Sequence, residues 1–247
     1  EHPDEVFSAV AIENQKFVKL FLEDPVNPKK IANQVKSMTQ ATILPGFTDA
    51  HAHFIVTAAF QALGTPISEL ENNQLIPNNL RGVRKKVIQY YNTHPKKEIL
   101  VFTNYVIASI EENRLPTWEE IDKWIPKKDV IFLTIDGHAS SYSSSALKKM
   151  GFDPQKHNGI LRGEEHEDNY QKMNNLLKKS LKLPILIRGI QKALNYATDH
   201  GIVAINCMEG MNGTGKDKSF WLISQIAKIT SIYLRLFPQV RNVNQIA

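Results

Sequence analysis

One cysteine, Cys207, stands among 247 residues, so no intramolecular disulfide framework can form, and a reducing, cytoplasmic setting suits the chain. No window approaches eighteen consecutive apolar residues, so no membrane-spanning helix is expected. The first residues, Glu1-His2-Pro3-Asp4-Glu5, are acidic and polar, unlike a secretory signal. They lack an initiator methionine, and the expectation is a trimmed or incomplete chain. Internal repeats and low-complexity segments are missing too. What remains is ordinary globular composition, 42% hydrophobic and 22% charged, enough for one large domain or two modest ones.

The net charge is +5 and the sequence pI about 9.1, a balance that can signal nucleic acid or an anionic membrane. Here the lysines come in scattered pairs, such as Lys85-Lys86, Lys127-Lys128 and Lys148-Lys149. They fall mostly at apparent helix ends and loops, where they complement the helix dipole. Neither an aromatic-interleaved stripe nor a basic arm is present. No nucleic-acid or membrane partner is expected.

Two β-branched and aromatic runs between Val6 and Phe21 flank Glu13-Asn14-Gln15-Lys16, a hairpin pattern. Pro28 suits the first position of a short helix. Ile55 to Leu63 is apolar and compatible with a helix. Val83, Val87, Ile88 and Tyr91 share one helical face between Leu80 and Tyr91. Strands are expected at Glu98–Phe102, Val130–Ile135, Ile202–Met208 and Ile232–Phe237. Thr117 and Glu120 are spaced as a capping box. Helices are expected over Ser143–Met150, along Tyr170–His200 with a break near Pro184, and from about Lys218 to Ile229. Strands alternating with helices argue parallel βαβ units.

The stretch with most chemical content is Leu44-Pro-Gly-Phe-Thr-Asp-Ala-His-Ala-His-Phe54. In an extended segment, side chains two apart share a face, so His51 and His53 point the same way. Two imidazoles about 6–7 Å apart along a strand can reach one divalent cation. Neutral imidazole is the commonest metal ligand, and a catalytic zinc typically keeps one coordination position open. Asp49 lies on the same face as a candidate acceptor for an imidazole.

Other candidates sit at strand ends. Asp136-Gly137-His138 follows the third strand, where the two side chains either border a site or satisfy each other at a turn. Arg162 offers a planar fork for an anionic group or lies on the surface. Glu209 ends the fourth strand. Cys207, two residues earlier, reads as a packed core thiol. Gly210 to Lys216 imitates a phosphate-binding loop. Asp217, however, stands where a magnesium-holding Ser or Thr belongs, so nucleotide binding is disfavoured.

The histidine stretch resembles the metal-binding strand of the amidohydrolase superfamily. Leu115-Pro-Thr, Asp136-Gly-His, Ala146-Leu147, Gly159-Ile-Leu-Arg-Gly163 and Gly201-Ile-Val-Ala-Ile205 resemble its YtcJ-like, or amidohydrolase-3, group, which includes N-substituted formamide deformylase. One departure is Ser143, where the group has asparagine. The resemblance implies a (β/α)8 barrel of the metal-dependent hydrolase type, in an α/β fold. Residues 1–40 would be the remnant of a small β-sandwich, and residues 41–247 the N-terminal half of the barrel, about its first five strands. It also implies His51 and His53 as metal ligands and one or two divalent ions, usually zinc. A metal-activated water would hydrolyse a C–N bond of a small amide or formamide substrate.

The superfamily's remaining ligands, histidines after the fifth and sixth strands and an aspartate after the eighth, have no counterpart here. No histidine follows His200, and a full barrel takes about 250 residues by itself. The expectation is therefore half a barrel and half a metal site in an incomplete chain with no catalytic residue of its own, either missing its C-terminal half or completed by a homodimer or a second polypeptide. The alternative is a catalytically silent fragment or binding protein that retains the fold.

Overall fold

The structure is a computed structural model and describes residues 6–38, 40–178, 180–209 and 218–238. The chain divides into two compact units at Phe47/Thr48. In the first, β1 (Ala9–Glu13) and β2 (Lys16–Phe21) form an antiparallel hairpin with a bulge at Ala11/Ile12. Asn14 and Gln15 both take positive φ, 50° and 65°, the pairing that matches a two-residue turn to strand twist. Pro28–Lys30 is one 3-10 turn.

The second unit begins with β3 (Phe47–Ala52), α1 (Phe54–Leu63) and β4 (Gly64–Pro66), then the small ribbon β5 (Leu70–Glu71) and β6 (Gln74–Leu75). Next come α2 (Leu80–Thr93), β7 (Ile99–Tyr105), α3 (Trp118–Trp124), β8 (Asp129–Thr134), β9 (Ala139–Tyr142) and α4 (Ser144–Lys149). The remainder is β10 (Ile160–Arg162), α5 (Gly163–Lys178), α6 (Leu183–Asp199), β11 (Ile202–Glu209), α7 (Lys218–Ile226) and β12 (Tyr233–Pro238).

These strands form two main sheets. One runs β10-β9-β8-β7-β4, the other β12-β11-β3. In the first, β4, β7 and β8 are parallel, and β9 runs antiparallel to both of its neighbours, β8 and β10. Leu100, Phe102, Val130 and Phe132 point into one core cluster, and Ile99, Val101, Ile131 and Leu133 into another. Both sheet faces are thus covered, which is why these strands read as unbroken apolar runs rather than alternating ones. Phe102 and Phe132 stack across the strands with centroids 5.0 Å apart.

The five strands expected from sequence are all present, but they do not share one sheet. Those near residues 51, 205 and 235 belong to the three-stranded sheet, and those near 102 and 132 to the five-stranded one. Between α1 and α6 the chain therefore leaves the three-stranded sheet, builds the five-stranded one, and returns. A third core cluster holds the return together, combining Phe54 and Ala58 of α1 with Ile190, Ala193 and Ala197 of α6 and Ile205 and Cys207 of β11. The helices approach closely at Gly189, where a Cβ would stand 2.0 Å from the Ala58 carbonyl oxygen.

Local signals locate the helix ends. Glu120 accepts the Thr117 backbone N–H at 2.9 Å and accepts a bidentate pair of hydrogen bonds from Arg114, both at 2.7 Å. Ser143, at the departure from the amidohydrolase-3 pattern, is fully buried. Its Oγ accepts from Ala146 N at 3.3 Å, capping α4, accepts from Val130 N at 3.0 Å, and donates to the Lys128 carbonyl at 2.7 Å. Position 143 is thus a structural tie between β8 and α4. Among the described residues no helix is long and apolar enough to cross a membrane.

Candidate metal centre

His51 lies in β3, which ends at Ala52, and His53 follows it as the N-cap of α1. Their ring centroids are 5.3 Å apart and the rings lie nearly perpendicular, at 84°. His51 is exposed and His53 half-buried. Asp49 Oδ1 accepts the His51 backbone N–H at 3.0 Å, so this carboxylate steadies the strand that carries the first ring.

The C-terminal half of β11, which carries the candidate Glu209, lies beside them. Asn206 Nδ2 donates to the Ala50 carbonyl at 3.3 Å, His53 Nδ1 bonds the Met208 carbonyl at 2.6 Å, and Glu209 Oε1 accepts the Ile55 backbone N–H at 2.9 Å. Contacts advancing together along both segments mean that β3 and β11 run the same way, with their C-terminal ends adjacent. In barrel-type α/β folds that end is where chemistry collects. Glu209 is 3% exposed, a degree of burial that an Asp or Glu normally reaches only when paired.

Cys207 lies under this cluster, fully buried. Burial first, then the negative charges of Glu209 and Asp49, push its thiol up to about 12. It is a packing residue, as its sequence position implied, and not a thiolate ligand.

The Asp136 turn is elsewhere, on the five-stranded sheet. Asp136 accepts from Thr134 Oγ1 and from His138 N at 3.1 Å. The Thr134 hydroxyl, chiefly, holds its carboxyl below the usual carboxylate range. His138 is exposed, with Nδ1 3.7 Å from Glu167. Arg162 is exposed on the edge strand β10. These three residues are not brought to the imidazole pair by any described contact. The glycine-rich stretch from Gly210 to Asp217 lies outside the described residues.

A histidine that sequence reasoning passed over sits behind that turn. His166, on α5, is 2% exposed, with Nδ1 2.8 Å from Ser140 Oγ. Ser140 in turn donates to the Tyr142 hydroxyl at 2.9 Å. Nε2 makes no hydrogen bond of normal geometry, and burial lowers the imidazole pKa from its ordinary 6.5. No spacing motif marks this residue; Glu and Asp neighbours disguise it as part of a solvated helix face.

A cleft of about 820 Å3 opens at the opposite, N-terminal ends of β7 and β8. Two of its lysines are already engaged with neighbouring groups. Lys149 pairs with Asp129, and Lys128 Nζ donates to the Pro95 and Lys97 carbonyls at 3.1 and 2.7 Å. Volume alone does not make it the functional site.

Whether the imidazole pair suits a cation turns on the His53 hydrogen bond. A carbonyl oxygen only accepts, so the proton sits on Nδ1 and the Nε2 lone pair is left for a ligand. Fixing the tautomer through the far nitrogen is how proteins orient metal-binding histidines. Among the described residues, however, no group of three or more His, Cys, Asp or Glu side chains stands close enough to hold a cation. The residues fit one half of a metal site.

The sequence profile of the Amidohydrolase family matches residues 37–243. A search of curated proteins returned no match. Among solved structures, the chain is similar to an uncharacterized metal-dependent hydrolase from Pyrococcus horikoshii OT3, with a TM-score of 0.52 and 16% identity. The similarity covers 94% of this chain and 44% of that one. A second, from Pyrococcus furiosus, has a TM-score of 0.52 and 14% identity, covering 94% of this chain and 45% of the other. The chain therefore spans less than half the length of these structures, and at such identities the likeness establishes the α/β fold alone. The family profile runs through the histidine strand and both sheets, and by that match the chain belongs to the amidohydrolase family.

Proposed function

We propose that this chain supplies the two-histidine half of a divalent-metal site in a hydrolase that cleaves C–N bonds of small amide or formamide substrates. The observation that carries the reading is the His53 tautomer. A ring whose Nδ1 is committed to the Met208 carbonyl at 2.6 Å presents Nε2, 5.3 Å (ring to ring) from a second imidazole. Family membership supports hydrolysis.

His51 and His53 are the proposed ligands, and zinc is the proposed ion, because imidazoles and one open position are its usual catalytic environment. A cation held there would polarise a scissile carbonyl and acidify a water molecule. Asp49 and the end of β11 keep the rings in place. No proton-transferring carboxylate is assigned among the described residues. A further ligand and that carboxylate would lie outside the described residues.

A second reading, a catalytically silent binding protein, is favoured by one observation: no third ligand stands beside the pair among the described residues. Zinc content and hydrolysis of N-formyl and N-acyl amines, measured for the purified chain and for His51→Ala, separate the two. Stoichiometric zinc and turnover, both lost in the variant, support the enzyme. Stoichiometric zinc without turnover supports the binding protein, and zinc no higher than in His51→Ala sinks the metal site for this polypeptide.

A further inference from the structure

His53 occupies an awkward position in the chain. It is the N-cap of α1, with φ −91° and ψ 76°, and its side chain makes no capping hydrogen bond. Helix N-termini expose backbone N–H groups that need acceptors, and Ser, Thr, Asp or Asn at the N-cap normally provide one. Histidine at this position cannot do so here, because its Nδ1 is turned to the Met208 carbonyl. The N–H of Ile55, second residue of the helix, is instead satisfied by Glu209 Oε1 at 2.9 Å, from a residue 154 positions away.

We infer that Glu209 is a positioning residue that caps α1 in place of His53, so that the ring is released to serve the metal. The inference rests on the metal-site reading above and deepens it. Met208 and Glu209 are consecutive, so one strand end makes two attachments: its carbonyl sets the His53 tautomer, and its carboxylate pins the backbone two residues on. A carboxylate at a helix N-terminus is also favoured by the helix dipole. Glu209 is not itself placed as a ligand, since it forms no three-group cluster with the histidines. Its contribution is to the angle at which His53 Nε2 is offered.

The distinction between capping and charge gives the test. Glu209→Gln keeps an oxygen acceptor at the same reach, whereas Glu209→Ala removes it. Zinc affinity is measured by competition with a chromophoric chelator, and the His53 tautomer by long-range nitrogen–proton NMR. Glu209→Ala is expected to weaken zinc binding about tenfold or more, the range seen when a ligand's orienting partner is lost. It is also expected to abolish the single Nδ1–H form of His53. Glu209→Gln is expected to stay within about threefold of the parent and keep that form. Should Glu209→Ala not fold, Glu209→Asp, charged but one methylene short, must fall in its place. Wild-type affinity in the shortened variant, or an equal loss in Gln and Ala, overturns the capping role. Zinc binding that survives His51→Ala overturns the metal reading itself, a separate failure.

Discussion

At positions 53, 138 and 166 the same side chain meets three environments. His53 is held by a carbonyl at a strand end, His138 is exposed beside Glu167, and His166 is sealed between β9 and α5. Burial lowers the His166 pKa below 6.5, so the native state disfavours its charged form. Below about pH 6.5 the unfolded chain therefore binds a proton that the native chain does not, and stability falls on acidification. One such proton sets a ceiling of about 1.4 kcal/mol per pH unit. Urea unfolding between pH 7.5 and 5 is expected to show this decline, and His166→Gln to flatten it. An equal slope in the variant contradicts the assignment.

At the scale of elements, the contact between α1 and α6 rests on small side chains. Ala at position 189 ordinarily improves a helix by about 1 kcal/mol over Gly. Here its Cβ would meet the Ala58 carbonyl oxygen at 2.0 Å and the Ala62 Cβ at 2.8 Å, and overpacking costs about 1–3 kcal/mol. Gly189→Ala is expected to lower the unfolding midpoint; a raised midpoint would show that the helices part without cost. Glu120→Ala removes both the acceptor for Thr117 N and the bidentate partner of Arg114. Calorimetric or urea unfolding should register a loss of about 1–2 kcal/mol.

Sequence revealed the elements unevenly. The Asn14-Gln15 turn, the Thr117–Glu120 spacing and the apolar runs of β7 and β8 each carry a local signal, and all were legible. Ala139-Ser140-Ser141-Tyr142 was not, because a buried strand of hydroxyls looks like a loop until its partners are seen. Met208 contributes only its carbonyl to the site, which no side-chain pattern can announce. Glu209 was legible as a strand-end candidate, but its bond to Ile55 depends on strand adjacency. Adjacency itself was the main loss: βα alternation reads the same whether successive strands enter one sheet or two.

At the largest scale, the consequence is a sheet that, among the described residues, has three strands and ends at β3 and β12. Outer strands with unpaired backbone groups invite association. β12 adds exposed apolar side chains, with Tyr233 at 70% and Phe237 at 44%. Sedimentation velocity over a concentration series is expected to show self-association, reduced by Leu236→Lys. A monomer at all concentrations would mean that this edge is covered by some other means.

The central claim is that two imidazoles at one strand end form half of a metal site. Of eight histidines in the chain, the account assigns only two to the cation. Zinc titration followed by histidine ring NMR tests this directly. The account predicts that the His51 and His53 resonances shift together at the first equivalent of zinc. His94, His138, His157, His166 and His200 should stay in place, and His53→Ala should abolish the response. Shifts spread evenly over the histidines, or a titration unchanged in His53→Ala, would contradict it.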